Sequence, residues 1–481
     1  MAARSYDELS RDDLIDIINR LKRRKRYGLV WEEEKVQERF DEEARNAYPI
    51  LKAVEERDVL TNPKEPVNLL IEGDNLHTLS VLNYTHQGSI DIIYIDPPYN
   101  TGNKDFKYND HWADKEDVYR HSKWLSFMKP RLQLARNLLK DTGVIFVSID
   151  DNEFAQLKLL MDEVFEESNY ITTQIWVKNA IKNNVRTLSV VHEYILTYAR
   201  SKSSLVTKGS AFAVSKPGIN EVFRLRDDFL HEDLTLYESP HKELEQRLRK
   251  FYRSNKHLKG ISHYKFVEPE TLRIYAIDNI SAPGGNGKQY DIIHPVTGKP
   301  CKRPAGGYRF TEKTMRELLS TNQIHFGKDE TTVPRFKRYL DTVEMEVPKS
   351  VINNNDDGTR ELQSILNETS FSYPKPTSLI KYLIQVTNNP NAIVLDFFAG
   401  SGTTGHAVLQ LNKEDGGNRQ FILVTNNENN ICTDVCYPRI QKVIHGYTTP
   451  KGKEVPGLGG NLKYYRVGLV AKLSNSDEMK V

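Results

Sequence analysis

The run Ser89-Ile-Asp-Ile-Ile-Tyr-Ile95 ends abruptly in Asp96-Pro97-Pro98-Tyr99-Asn100-Thr101-Gly102. An apolar stretch of that length reads as a buried strand. The two prolines lack N–H donors and fix the backbone, so the sheet cannot continue through them and the loop is stiff. A carboxylate and an aromatic ring are thus held close together at the carboxyl end of a strand. Open α/β sheets bind their ligands at that end. A tight loop with a solvated Asp96 and a packed Tyr99 is the plainer alternative, and a second motif far downstream weighs against it.

That second motif follows Asn391-Ala-Ile-Val-Leu395, another short apolar strand. It runs Asp396-Phe397-Phe398-Ala399-Gly400-Ser401-Gly402-Thr403-Thr404-Gly405 and leads into a helix over 406–411. Glycines there let the backbone approach a ligand closely, and a helix start offers free N–H groups. The spacing is not the full G-x-G-x-x-G of dinucleotide enzymes, and the lysine of a phosphate-binding P-loop is missing. The loop suits a small ligand with an adenosine part and no phosphates.

Between and around these motifs the chain alternates strand and helix. Strands are expected at 67–71, 144–149, 171–177, 193–199 and 420–425, with helices at 76–84, 123–140, 153–165 and 378–387. That alternation argues for a parallel sheet. The texture breaks between about 200 and 370, where glycine-rich stretches (281–287, 304–307) interrupt any period. Residues 251–310 hold ten Lys/Arg against four Asp/Glu. Tyr252, Tyr264, Phe266, Tyr275, Tyr290, Tyr308 and Phe310 are interleaved with them. Such a mixture suits a nucleic-acid-facing surface, since phosphates need cations and unstacked bases need flat partners. A solvated insertion is the alternative.

The organisation expected is a helical N-terminal arm over 1–60, a core half over 61–200, and an insertion over 201–370. A second core half over 371–450 and a tail over 451–481, with a possible strand at 462–467, complete it. The arm opens with Ser10-x-x-Asp13, an apolar helical face and the basic run Lys22–Arg26, and could cover the core, mediate a dimer or brace DNA. The irregular stretch Gly102–Asp114 suggests an active-site loop.

With 481 residues the chain can bury a large core in two or three domains. Lys+Arg 67 against Asp+Glu 65 is nearly balanced, and a net charge of +2 points to no partner. Three cysteines are too few for a disulfide framework and fit a reducing cytoplasm. Cys432-x-x-x-Cys436 lacks a second ligand pair nearby, so no metal site is expected. No run reaches transmembrane length and no signal-peptide core is present, so no membrane partner is expected.

Taken together, Asp96–Gly102 and Asp396–Gly405 resemble the DNA amino-methyltransferases that use S-adenosylmethionine (SAM), in the beta-type order of motifs. Four further strings resemble the modification (Mod) subunits of type III restriction systems: Ile71-Glu-Gly-Asp-Asn-Leu76, Tyr94–Gly102, Trp124-Leu-Ser-Phe-Met128 and Gly143–Asp151. The resemblance covers roughly residues 10–200 and 370–445. It departs at Phe397, where relatives commonly carry proline. It departs also at the end of the next strand, where the acid that holds the SAM ribose falls on Thr425 or Glu428; we favour Glu428.

The resemblance implies an α/β fold: a permuted, Rossmann-like, seven-stranded SAM-dependent methyltransferase sheet with an inserted target-recognition domain. It implies transfer of a methyl group to the N6 amine of a flipped-out adenine, with Asp96, Pro97, Pro98 and Tyr99 catalytic. Cytosine N4, or an amine on RNA or protein, is the alternative target. Cofactor contacts would come from Asp74, Asn75, Lys375, Pro376, Asp396, Phe398, Gly400, Gly402, Thr403, Thr404 and Glu428. The insertion lies outside the resemblance, and its basic, aromatic composition is what points to phosphate contacts from Lys302 and Arg303. The partners implied are duplex DNA, a second copy of the chain and a restriction (helicase/nuclease) subunit, in a bacterial or phage-encoded system.

Overall fold

The computed structural model describes residues 10, 47–102, 107–108, 111–112, 118–178, 188–208, 212–353, 356–367, 371 and 373–471. The helix read from Asp13, the basic run Lys22–Arg26 and most of the Gly102–Asp114 loop lie outside these residues. Two compact units form. One comprises the chain up to Phe212 and from Lys349 onward; the other is Ala213–Pro348. No helix among the described residues is long and apolar enough to cross a membrane.

The first unit is built on one sheet. In chain order its elements are β1 (Ala47–Ala53), β2 (Val67–Glu72), α1 (Asn75–Thr85), β3 (Ile90–Ile95), α2 (Arg120–Leu138) and β4 (Leu139–Ile149). There follow α3 (Phe154–Met161), β5 (Tyr170–Val177), β6 (His192–Ala199), β7 (Val351–Asn353), α4 (Gly358–Leu366) and α5 (Thr377–Gln385). The last are β8 (Ile393–Asp396), α6 (Thr403–Asp415), β9 (Gln420–Thr425), α7 (Tyr437–His445) and β10 (Asn461–Ala471). The strand order is β1-β10-β2-β9-β8-β3-β4-β6-β5-β7. Neighbours from β10 through β4 are parallel, whereas β6 runs antiparallel to both β4 and β5.

The sheet has ten strands among the described residues, where seven were expected. The seven are the run from β2 to β5; β10 and β1 extend one edge and β7 the other. Two of the additions come from segments read as arm and tail. Ala47–Ala53 is an edge strand rather than part of a helical arm, and it pairs antiparallel with β10 along its whole length. An edge strand tolerates Pro49, whose missing donor can face outward. The insertion read over 201–370 is also longer than the separate unit. The short helix Lys202–Thr207 packs on β4 and β6, and β7 pairs with β5.

The central strands are apolar on both faces because helices cover both. Ile90, Ile92, Ile93, Tyr94 and Ile95 of β3 are all buried, as are Val394 and Leu395 of β8. α1 packs on α2, and α5 on α6. The chain leaves β3 for β4 in one direction across the sheet and leaves β8 for β9 in the other. β3 and β8 therefore flank the point where the strand order reverses, and sheets of this kind bind ligands at the carboxyl ends there. Leu395 pairs with Ile93 in register, which brings Asp396 and Asp96 to the same edge.

The second unit has helices Ile219–Leu230 and Pro240–Ser254 and a four-stranded antiparallel sheet. Its aromatic residues are largely core. Tyr252, Tyr264, Tyr275 and Tyr308 are buried, and Tyr252 donates its hydroxyl to the Tyr264 carbonyl at 3.0 Å. The expectation that these rings form a nucleic-acid surface is corrected for those four: they fill the unit's own interior.

Candidate active site

Helix starts on both sides hold the Asp96–Asn100 loop. Trp124, fully buried in α2, donates Nε1–H to the Pro98 carbonyl at 2.7 Å. Asn100 takes a left-handed backbone, φ 55°, and its buried amide donates to Glu153 Oε1 at 2.5 Å and to the Arg120 carbonyl at 3.2 Å. Asparagine tolerates that conformation better than most residues. Tyr99 Oη lies 2.9 Å from Asp96 Oδ1 and 3.2 Å from Glu193 Oε2, sharing its one proton between the two carboxylates. Burial and then the charge of Asp96 hold that phenol well above its ordinary range, so it stays a donor.

Lys375 comes to the same spot from the loop before α5. Its Nζ is 2.7 Å from both oxygens of Asp96 and 3.0 Å from Tyr99 Oη, and it lies 3.5 Å from Glu193 Oε2. Glu193, near the start of β6, is also ion-paired to Lys178. The structure thus sets Lys375, read from the sequence as a cofactor residue, directly on Asp96.

Beneath the loop lies a second buried carboxyl. Burial pushes Glu153 up to about 8, against the hydrogen bond from Asn100 and the charge of Arg120 that pull it down. His121 Nδ1 sits 2.7 Å from Glu153 Oε1, and burial together with Arg120 lowers that imidazole. The pair is therefore neutral at pH 7. The native state keeps a proton on Glu153 over a range where the unfolded chain has released it, so stability falls as pH rises from about 4.5 to 8. Glu153→Gln mimics the protonated acid. It is expected to remove this slope, on the order of 2 kcal/mol between pH 5 and 7, and urea melts of both proteins at those pH values measure it. Parallel pH dependence in the two would show that Glu153 is ionised in the native state.

On the other flank, Gly400 and Gly402 have φ 49° and 77°, and Gly402 stands at the N-terminus of α6 with no side chain capping it. Asp396 braces this loop. Its Oδ1 accepts from Phe398 N at 3.0 Å and its Oδ2 from Thr404 Oγ1 at 2.5 Å. Burial raises Asp396 to about 7 despite those two hydrogen bonds, and the neighbouring Asp96 adds to the rise. Asn75 donates to the Phe397 carbonyl at 3.0 Å and accepts from Arg131 Nε at 2.6 Å. Asp74 caps α1 through Leu76 N and His77 N and lies 3.5 Å from Arg131.

Behind the loop, fully buried Arg439 of α7 donates to Thr403 Oγ1 at 2.8 Å and Ser401 Oγ at 3.1 Å. Glu361, 3.8 Å from that guanidinium, accepts from Thr377 N and Oγ1 at the start of α5. Pro376 occupies the N-cap position of α5.

The expected residues therefore fall into two adjoining groups: Asp96, Tyr99 and Lys375, and Asp74, Asn75 and Asp396 through Thr404. Glu428 lies exposed on a short turn past the end of β9. Lys302 and Arg303 belong to the second unit, where Arg303 pairs with Asp291 at 2.9 Å. Glu153, Glu193, Arg131 and Arg439 were not read from the sequence. Arg131 left a trace there, since it occupies the same helical face as Trp124, Met128 and Ala135, an odd place for a guanidinium unless it is bonded inside.

A family model described as DNA methylase matches residues 90–435, which span both loops. The chain belongs to this DNA methylase family. It is similar to the type III restriction-modification enzyme EcoP15I Mod subunit of Escherichia coli, 36% identical over 391 residues, covering 76% of this chain and 59% of that protein. It is also similar to the StyLTI Mod subunit of Salmonella typhimurium, 34% identical over 395 residues, covering 77% of this chain and 54% of that one. The type II methyltransferase M.KpnI of Klebsiella pneumoniae is 29% identical over 408 residues, covering 83% of this chain and 90% of M.KpnI. The chain thus spans little more than half the length of the two Mod subunits.

Proposed function

We propose that this DNA methylase transfers a methyl group from SAM to the N6 amine of an adenine swung out of duplex DNA, as the modification component of a bacterial or phage restriction system. The observation that carries the reading is the adjacency of Asp96–Tyr99 and Gly400–Gly402 at the carboxyl edge of β3 and β8, where donor and acceptor meet in one crevice. The glycine loop fits SAM: two left-handed glycines and an uncapped helix start present backbone rather than side chain. Asp74, Asn75, Asp396, Phe398, Thr403 and Thr404 hold or line that loop, and we assign them to the cofactor with Gly400, Gly402 and Pro376; Lys375, set on Asp96, we assign to the acceptor side. Glu428 is the candidate for its ribose.

SAM supplies an electrophilic methyl group on a sulfonium. An exocyclic amine on a base is a poor nucleophile because its lone pair is delocalised into the ring. Asp96 and the Pro97 carbonyl accept the two amine hydrogens and stabilise the positive charge that develops on nitrogen. Tyr99 stacks on the extruded base and offsets part of the stacking lost, a few kcal/mol. The Asp-Pro-Pro-Tyr form with the Mod-like strings favours adenine N6; cytosine N4 poses the same chemical problem and is the second reading.

Tritium transfer from labelled SAM onto duplex DNA, RNA and protein in parallel tests the class of substrate. Nucleoside analysis of the product separates N6-methyladenine from N4-methylcytosine. Label on protein alone would overturn the proposal. We further propose a homodimer, a restriction subunit as partner, a cytoplasmic location and a target-recognition role for Ala213–Pro348, in which Lys302 and Arg303 contact phosphates. Exchanging Ala213–Pro348 for the corresponding unit of a relative with another specificity is expected to move the methylated sequence with it. Sequencing of the modified DNA reads the outcome, and a methylated site that stays with the catalytic unit would remove the recognition role.

A further inference from the structure

Asp96 serves an incoming amine through its negative charge, yet the Lys375 ammonium lies 2.7 Å from both of its oxygens. A cation so placed neutralises the acceptor and opposes the positive charge that grows on the amine nitrogen. The same ammonium is 3.5 Å from a second carboxylate, Glu193 Oε2. Lys375 and Glu193 side chains are each only 10% exposed, so water does not screen the contest between the two carboxylates. Glu193 is itself anchored, by Lys178 on Oε1 and by Tyr99 Oη at 3.2 Å on Oε2. Lys375 stands between Pro374 and Pro376, and a residue before proline is held extended. Its backbone is therefore fixed, and its long side chain is the part free to move.

We propose that Glu193 is a positioning residue that acts through Lys375: it draws the ammonium off Asp96 when the target amine arrives, and so restores the acceptor charge. This rests on the methyl-transfer reading above. Tyr99 takes part because its hydroxyl bridges the two carboxylates and can follow the lysine from one to the other. The arrangement gives an empty acceptor site a paired, neutral carboxylate, and an occupied one a free anion. No residue outside this cluster is needed.

The test is a double-mutant cycle. Glu193→Gln keeps the shape and removes the charge; Lys375→Met removes the ammonium. Wild type, both single variants and the double variant are compared in single-turnover methyl transfer on a duplex carrying the mapped site. SAM affinity is followed by calorimetry, and base extrusion by the fluorescence of 2-aminopurine at the target position. Glu193→Gln is expected to slow transfer by about tenfold or more and weaken the extrusion signal, with SAM affinity changed less than about threefold. The double variant is expected to be as fast as Lys375→Met alone, because with no ammonium to remove Glu193 has no task. If the loss from Glu193→Gln is the same in the Lys375→Met background, the two act independently and the proposal falls. Should melting curves show that Glu193→Gln does not fold, Glu193→Asp with and without Lys375→Met poses the same question and is read by the same rule. Failure of the wild-type protein to methylate any DNA would instead strike the functional reading.

Discussion

Asp96→Ala is expected to abolish methyl transfer, lowering the single-turnover rate by about a thousandfold or more, while SAM affinity stays within about tenfold. A preorganised polar group aimed at developing charge is worth about 10²–10³ in rate when removed. The variant also leaves the Lys375 ammonium without its 2.7 Å partner, and Glu193 is the carboxylate that remains to hold it. Cofactor affinity should survive because the glycine loop is braced by Asp396, Asn75 and Arg439, not by Asp96. Stability should fall modestly, since Glu193 at 3.5 Å remains to pair the lysine. Asp96→Asn keeps the shape and one carbonyl acceptor but loses the charge, and should be slowed less than Asp96→Ala. Turnover of the alanine variant within tenfold of wild type would take Asp96 out of the catalytic role.

The two loops were legible because each follows a short apolar strand and is made of residues with few backbone options. Pro97 and Pro98 stop β3, and Gly400 and Gly402 can adopt φ values of 49° and 77° that other residues resist. The central strands were legible for the same reason: burial on both faces leaves a continuous apolar run, as in Gln420–Thr425. The edges were not. Ala47–Ala53 is an edge strand of mixed burial, with Pro49 in it, and among the described residues it joins the sheet only through β10, more than four hundred residues away in sequence.

Glu193 left no mark either. A glutamate at the start of a β-branched and aromatic strand reads as a solvent-facing end, and only the fold brings it to Tyr99. The tyrosines of the second unit show the converse error. A ring beside lysines and glycines fits a base-stacking surface as well as a core, and nothing in their spacing separates the two. Tyr264 proves to be core among Val222, Phe229, Leu244 and Leu248 of the two helices, and Tyr308 fills a separate small core with Ile280, Ile292, Met315 and Ile324.

Gly402→Val is expected to weaken SAM binding by at least about thirtyfold and to lower the melting temperature, with DNA affinity unchanged. The backbone reason comes first: at φ 77° a β-branched residue is strained by about 1–3 kcal/mol. Space is the second. A Cβ at this position would lie 3.0 Å from Cys436 Sγ and 3.4 Å from Ile440 Cδ1. Both neighbours are buried, so the loop rather than the interior gives way. Moving the loop by even a few tenths of an ångström disturbs the Ser401 and Thr403 groups that Arg439 holds, and with them the uncapped start of α6.

Gly400→Val meets a different obstacle, the Phe371 ring at 3.1 Å from its Cβ, so it separates crowding around Phe371 from strain at the helix start. Calorimetric titration with SAM, beside melting curves for each variant, distinguishes lost affinity from lost fold. A folded Gly402→Val protein that binds SAM as the wild type does would remove this loop from the cofactor site, and would send the search to the other polar group of the crevice, around Lys375 and Glu193.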